Sequence, residues 1–331
     1  MVVIMNPDAG ENDVCRVVDA IKAAGMDVHV SQGRETTIIG VIGDEREIDF
    51  ASLAALPHVD RAVPILKPFK YVSRDVCPEN RVVDVAGVEI GKGLVFAAGP
   101  CSVEEEDVTL RIAEAVKKAG AKIFRAGAYK PRTSPWSFQG LREEGLRILA
   151  KVRSETGLPI CTEVVDTGDI DLVSEHADIL QVGMRNMRNY ALLTALGKAT
   201  KPVLLKRGDS STLHEWLAAA DYIVRNGNEN VILCERGIRT FETYTRNTLD
   251  LNAVVGAKIE SSLPVVVDPS HGTGRVDMVA AMSKASIAAG ADGLLLEAHV
   301  EPSKAWSDGA QTITPGQLKE IVDICTRMHE S

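Results

Sequence analysis

No stretch of the 331-residue sequence reaches the roughly 18 consecutive apolar residues that a membrane-spanning helix needs, so no membrane partner is expected. The first residues, MVVIMNPDAG, have neither a basic flank nor a cleavage site, which sets aside a secretory signal and leads us to expect a cytoplasmic protein. A basic excess is also missing. Acidic side chains number 46 against 37 basic ones, a formal net charge of −9. A nucleic-acid partner, which calls for a basic face, is therefore not expected. That sign does not exclude a small anionic substrate, because a local basic pocket can oppose the global charge. The six cysteines, Cys15, Cys77, Cys101, Cys161, Cys234 and Cys325, lie far apart and form no CxxC pair. In a reducing compartment they read mostly as buried thiols, and any special role must be argued singly.

What is present fits an ordinary globular protein. Hydrophobic residues make up 45% and charged residues 25%, a balance that argues against disorder. The length suits an α/β barrel of about 250 residues with a small module in front. Residues 1–66 read as a βαββαβ unit, the plan of a ferredoxin-like α+β domain. Met1–Met5 is a short apolar strand. Val14, Val17, Val18 and Ile21 keep the spacing of one helix face, which ends at Gly25. Asp27–Gln32 and Thr36–Ile42 are strands, Ile48–Leu56 is a second helix, and Val59–Leu66 is a last strand. The Pro-containing stretch Lys67–Asn80 reads as a linker, which leaves 81–331 for the barrel. At its start, Arg81–Ile90 suggests a hairpin turning at Ala86–Gly87 and suited to plug the bottom of a barrel.

Beyond Leu94 short apolar runs alternate with helical periods. The runs are Leu94–Ala98, Lys122–Arg125, Pro159–Glu163, Asp178–Val182, Pro202–Lys206, Asn230–Cys234, Pro264–Asp268 and Gly293–Glu297. Strands that are apolar throughout and alternate with helices belong to a parallel sheet covered by helices. Eight such units are what a (β/α)8 TIM barrel requires. A doubly wound open sheet is the alternative, although the glycine-rich fingerprint G-x-G-x-x-G is missing after the first run.

Almost every run ends in a polar group at its C-terminal edge, and in a barrel these edges share one mouth, where active sites lie. Two chemical sets separate. Arg125, Lys130, Arg132, Arg185, Lys206 and Arg236 are cationic, and guanidinium forks suit phosphate and carboxylate oxygens. Such a set implies one or two ligands with several negative charges. The second set is Cys101, His271, Glu297 and Asp308, all divalent-metal donors, from the first, seventh and eighth strand ends and the loop that follows. Those strands are neighbours in a closed barrel. Taken singly, Cys101 also fits a buried thiol, and Asp308 a turn residue before Gly309.

The chain resembles the 3-deoxy-7-phosphoheptulonate (DAHP) synthase family, in the subgroup with an N-terminal ferredoxin-like (ACT-type) regulatory domain. The runs that carry this are GPCSVE from Gly99, RAGAYKPRTSP from Arg125, LLKRG from Leu204, LCERGIRTFE from Leu233, DPSHGTGR from Asp268 and SDG from Ser307. The resemblance implies a metal-dependent condensation of phosphoenolpyruvate with erythrose 4-phosphate, the first step of the shikimate pathway to aromatic amino acids. It makes Cys101, His271, Glu297 and Asp308 the ligands of one divalent ion, for which mixed donors admit Mn, Fe, Co, Zn or Cu. Arg125, Lys130, Arg185, Lys206 and Arg236 would hold phosphoenolpyruvate. Pro131, Arg132 and Thr133, with Lys130, would meet erythrose 4-phosphate, and Glu163 would join the substrate site. Lys130, between the two substrates, would donate a proton. One departure is Met184, where the family commonly has Ala.

The related 3-deoxy-D-manno-octulosonate 8-phosphate synthase shares the barrel and the phosphoenolpyruvate chemistry, but typically has Asn-Arg after an Ala where this chain has Pro131-Arg132-Thr133. A non-catalytic barrel that senses phosphorylated metabolites is a second alternative, opposed by the complete donor set. A metal-dependent hydrolase is a third, opposed by the scarcity of well-placed histidines, since His214 and His299 read as structural. For residues 1–66 the resemblance suggests feedback regulation by tyrosine or phenylalanine, with His29, Ser31 and Thr37 as candidate contacts between two modules. It also suggests a homotetramer.

Overall fold

The computed structural model describes residues 1–33, 36–45, 48–132 and 134–330, and the chain divides into two compact units, Met1–Pro68 and Phe69–Ser331. The first unit runs β1 (Val2–Met5), α1 (Glu11–Ala23), β2 (Asp27–Gln32), β3 (Thr37–Ile42), α2 (Phe50–Ala54) and β4 (Val59–Val63). Its strands form one antiparallel sheet in the order β2-β3-β1-β4, the ferredoxin-like arrangement. Val17 and Ile21 of α1 pack with Val3, Met5 and Ile39 of the sheet. Helix α2 is shorter than the expected 48–56. The Asp49 carboxylate accepts from the backbone N–H of Ala51, and that cap starts the helix at Phe50.

In the second unit, β5 (Val83–Val85) and β6 (Val88–Ile90) form the expected hairpin. Ala86 and Gly87 both have positive φ, 50° and 89°, as a two-residue turn matched to strand twist requires. The barrel strands are β7 (Val95–Gly99), β8 (Ile123–Arg125), β9 (Ile160–Glu163), β10 (Ile179–Val182), β11 (Val203–Lys206), β12 (Val231–Glu235), β13 (Val265–Val267) and β14 (Gly293–Glu297). All are parallel and buried along their whole length, and β14 pairs with β7 to close the barrel. Closure removes the open-sheet alternative.

Between the strands come α3 (Glu106–Lys118), α4 (Glu143–Thr156), α5 (Ile170–His176), α6 (Tyr190–Leu196), α7 (Leu213–Arg225) and α8 (Leu251–Glu260). They are followed by the one-turn α9 (Pro269–Thr273), then α10 (Val276–Ala288) and α11 (Pro315–Glu330). Their apolar faces and the outward side of the strands make the main core, with Trp216, Leu149 and Ile112 fully buried. Inside the barrel a second cluster joins Val95, Ile123, Cys161, Leu204, Ile232 and Leu295 to Val83, Val85 and Ile90 of the hairpin, which plugs the floor.

The stretch expected to be a linker is, from Phe69 onward, part of the barrel unit. Phe69 and Val72 are buried. The backbone N–H groups of Lys70 and Val72 donate to the Asp221 carboxylate on α7 at 3.1 and 3.0 Å. The apolar side chains and these two donors are better satisfied against α7 than in water.

Candidate active site

Gly99, Arg125, Glu163, Lys206, Glu235 and Glu297 are the last residues of their strands, so the closed barrel carries their neighbourhood to one mouth. A cavity of about 310 Å³ opens there. All six cations expected from the sequence line it, namely Arg125, Lys130, Arg132, Arg185, Lys206 and Arg236, together with Pro131, Glu163, Met184, His271 and Asp308. Thr133, also expected here, lies outside the described residues. Arg125, Lys206 and Arg236 are nearly fully buried, whereas Arg185 is exposed.

The four metal-donor residues converge. One ligand atom from each of Cys101, His271, Glu297 and Asp308 can be chosen so that all lie within 4.8 Å of one another. The Cys101 thiol donates to Asp308 Oδ2 at 2.9 Å. His271 Nε2 stands 3.3 Å from Glu297 Oε1 and 4.0 Å from Asp308 Oδ2. Each donor is held from behind. Asp268 caps α9, accepting from the His271 backbone N–H at 2.9 Å through Oδ1. Its Oδ2 takes His271 Nδ1 and Lys206 Nζ, each at 2.7 Å. The Nε2 edge of His271 is thereby left for the donor cluster, as metal-binding imidazoles require. Glu297 accepts from Arg125 at 3.2 Å and from Gln311 at 2.5 Å. A soft thiolate, an imidazole and two carboxylates within bonding reach of one point fit a divalent transition-metal ion.

The electrostatics follow from dense charge with little water. Burial, with Glu297 alongside, pushes the Cys101 thiol up to about 12 despite Lys130 Nζ at 2.9 Å. A coordinated divalent ion deprotonates such a thiol outright. Burial works against ionisation of Asp268, yet His271 and Lys206 hold it well below the carboxylate range. Glu163 is different: burial raises it even among Lys130, Lys206, Arg125 and Arg185. Burial lowers Lys130, but Cys101 and Glu163 outweigh that and the ammonium is held above its ordinary value.

Residues 1–67 match the DAHP synthase ferredoxin-like domain, and residues 76–331 match the DAHP synthetase I family. The chain belongs to the DAHP synthetase I family. The phospho-2-dehydro-3-deoxyheptonate aldolase of Thermotoga maritima is 46% identical to it over 323 residues, spanning 97% of this chain and 96% of that one. A crystal structure of the DAHP synthase of the same organism superimposes with a TM-score of 0.95 at 44% identity, covering 99% of this chain and 96% of that one. A 2-dehydro-3-deoxyphosphooctonate aldolase of Acidithiobacillus ferrooxidans stands further off, 32% identical over 245 residues, 69% of this chain and 86% of its own. The activity is therefore that of a DAHP synthase, an aldolase-type transferase.

Several cavity or supporting residues were not singled out from the sequence. Gln181 lines the cavity and donates to Glu163 at 3.3 Å. A polar residue inside the apolar run Asp178–Val182 is the signal that could have found it. Arg246 lies in the long loop between β12 and α8, far from any strand end, and has no such signal, yet it reaches Asp308 Oδ1 at 3.4 Å and Gln311 Oε1 at 3.2 Å. Of the candidate regulatory residues, His29 and Ser31 share one face of β2, the face that also carries Ile38 of β3. Thr37 falls on the other face, because its strand neighbour Ile38 pairs with Ser31 and successive residues alternate. The structure does not bring those three together.

Asp268→Asn tests the support behind His271. The amide cannot hold both Nδ1 and Lys206 as a carboxylate does, so divalent-metal affinity should fall about 10- to 100-fold. Competition against a colour-forming chelator measures it. Unchanged affinity in a folded variant would show that Asp268 does not orient His271.

Proposed function

We propose that the protein condenses phosphoenolpyruvate with erythrose 4-phosphate, and that Cys101, His271, Glu297 and Asp308 hold one divalent metal ion, Mn, Fe, Co, Zn or Cu. The observation that carries this is the seven cations lining one cavity beside the four-donor cluster. A trianionic enol phosphate and a sugar phosphate of about −2 supply the negative charge that such a cavity lacks. Arg125, Arg185, Lys206 and Arg236 take the carboxylate and phosphate of phosphoenolpyruvate, where planar forks and a point charge complement each other. Arg132 and Pro131, with Thr133, take the tetrose phosphate. C3 of phosphoenolpyruvate attacks the aldehyde carbon, water adds at C2, and inorganic phosphate leaves. The ion, when bound, supplies Lewis acidity toward the aldehyde oxygen. Lys130 reaches Cys101 Sγ and Cys101 O at 2.9 and 3.0 Å, which puts its ammonium beside the donor cluster. From there it donates a proton to the oxygen that becomes the new hydroxyl. Glu163 lines the same cavity and places a carboxyl group among the charges of Lys130 and Lys206.

The Pro131-Arg132-Thr133 run favours the four-carbon sugar over arabinose 5-phosphate. Residues 1–66 act as a regulatory module answering to tyrosine or phenylalanine, with His29 and Ser31 the contacts that share a face. The enzyme works in the cytoplasm, as a homotetramer.

Arg236→Ala should raise the KM for phosphoenolpyruvate roughly tenfold or more and that for erythrose 4-phosphate much less, because a charge-assisted bond in a buried site contributes about 1.5–3 kcal/mol. Arg132→Ala should do the reverse. Steady-state kinetics with each substrate varied decides it, and equal damage to both constants from both variants would undo the partition. A chain beginning at Phe69 should stay active and lose its inhibition by aromatic amino acids. Undiminished sensitivity of that chain would remove the regulatory role of the first unit.

A further inference from the structure

The loop after β14 carries Asp308, and three rungs tie it to the loop after β7. Cys101 meets Asp308, as described. Ser102 Oγ meets Ser307 Oγ at 2.9 Å. Glu104 Oε1 accepts the backbone N–H of Trp306 at 2.9 Å. The second oxygen of Glu104 faces His299 Nε2 at 3.2 Å, and both side chains are buried, 3% and 2% exposed. The donor roles in this pair are settled by the other ring nitrogen. His299 Nδ1 accepts the backbone N–H of Glu301 at 2.8 Å, so the ring proton sits on Nε2 and is donated to Glu104. Glu104 is itself pinned, since its backbone N–H and C=O both bond the Thr109 hydroxyl of α3, each at 3.2 Å. The Glu104 carboxylate thus has two acceptor oxygens facing two N–H donors, and His299 has one donor and one acceptor nitrogen, both engaged. The residue at the far end of this chain has a specific backbone conformation: Asp308 has φ 54° and ψ 28°, the left-handed region that among non-glycine residues Asp and Asn adopt most readily.

We propose that Glu104 and His299 are positioning residues for the metal site, presetting Asp308 through Trp306 and Ser307. This rests on the reading that Cys101, His271, Glu297 and Asp308 hold a divalent ion. Neither residue lines the cavity or belongs to the four-donor set. The pair fixes the loop two residues before Asp308, so that the carboxylate stands in bonding reach of the other three donors before any ion arrives. Without the pair, the Trp306 backbone N–H loses its acceptor, the loop is untied at that rung, and Asp308 is no longer held beside the other donors. The hydrogen-bond roles also predict which substitutions are tolerated. In Glu104→Gln the amide NH2 replaces one acceptor oxygen and faces an N–H donor with no acceptor between them, whereas His299→Gln keeps a donor toward Glu104 and an acceptor toward Glu301.

The test is a Co²⁺ titration of the metal-stripped full chain, read by the thiolate-to-cobalt absorption band, with a chelator competing and with Cys101→Ser as the reference for the band. The metal-free thermal midpoint is recorded in parallel. Glu104→Gln and His299→Leu should bind Co²⁺ about tenfold or more weakly, and His299→Gln should stay close to the unaltered chain. A purely structural role would lower the metal-free midpoint and leave Co²⁺ affinity of the folded variants unchanged, and that result overturns the proposal. Should Glu104→Gln fail to fold, the contrast between His299→Leu and His299→Gln decides: equal affinities overturn it. If the unaltered chain shows no thiolate-to-cobalt band, the metal reading itself fails and this inference falls with it. A band in the unaltered chain that every variant matches in affinity sinks the positioning role alone.

Discussion

One buried carboxylate joins the two halves of the site. Asp268 accepts from Lys206 in the cationic cavity and from His271 in the donor cluster, through the same oxygen and at the same 2.7 Å distance. It caps α9 as well, so the turn that presents His271 starts from the residue that orients the ring. Removing a charge from water costs several kcal/mol unless it is paired and hydrogen-bonded. Asp268 satisfies that condition three times over. It also compensates the burial of a lysine and sets the tautomer of an imidazole. The anion pocket and the metal-type cluster therefore cannot be varied independently.

The rest of the mouth shows the same tension between charge and burial. Arg125 answers Glu297, Arg207 answers Glu235 and Asp250, and Lys130 leans on a thiol. Yet seven cations still line one cavity, and burial draws Arg236 below its ordinary value with Arg246 adding to the effect. Such a surface is poised for polyanionic ligands, whose binding relieves the repulsion. The barrel tolerates it because the strain is confined to one end. Below the mouth the interior is apolar down to the hairpin plug, and the helices bury a continuous core outside. Stability resides in the body of the barrel, and chemistry in the loops at its rim.

Much of this was legible in the sequence, for identifiable reasons. A strand buried on both faces reads as an uninterrupted apolar run, so the ends of the eight runs fall within one residue of the observed strand ends. Strand ends break that run with a polar group, which is how Arg125, Glu163, Lys206 and Glu297 gave themselves away. The hairpin was legible at Ala86–Gly87 because a tight turn needs positive φ. Side chains that reach the site from loops leave no such mark. Arg246 and Gln311 belong to that kind, and only the fold shows that they approach Asp308 and Glu297. Phe69 and Val72 read as linker because the sequence shows apolar residues in a Pro-containing stretch but not the Asp221 carboxylate on α7 that fixes the backbone beside them.

The central claim is that one mouth joins two anionic substrates under a divalent ion, with the sugar selected by the Pro131–Arg132 loop. The direct measurement is phosphate release from phosphoenolpyruvate, with erythrose 4-phosphate or arabinose 5-phosphate as co-substrate, in metal-stripped enzyme and after adding back a divalent ion. The account predicts release only when phosphoenolpyruvate and the four-carbon sugar are both present, abolished by metal removal and restored by the ion. Full turnover in the metal-stripped enzyme, or faster turnover with the five-carbon sugar, would contradict it.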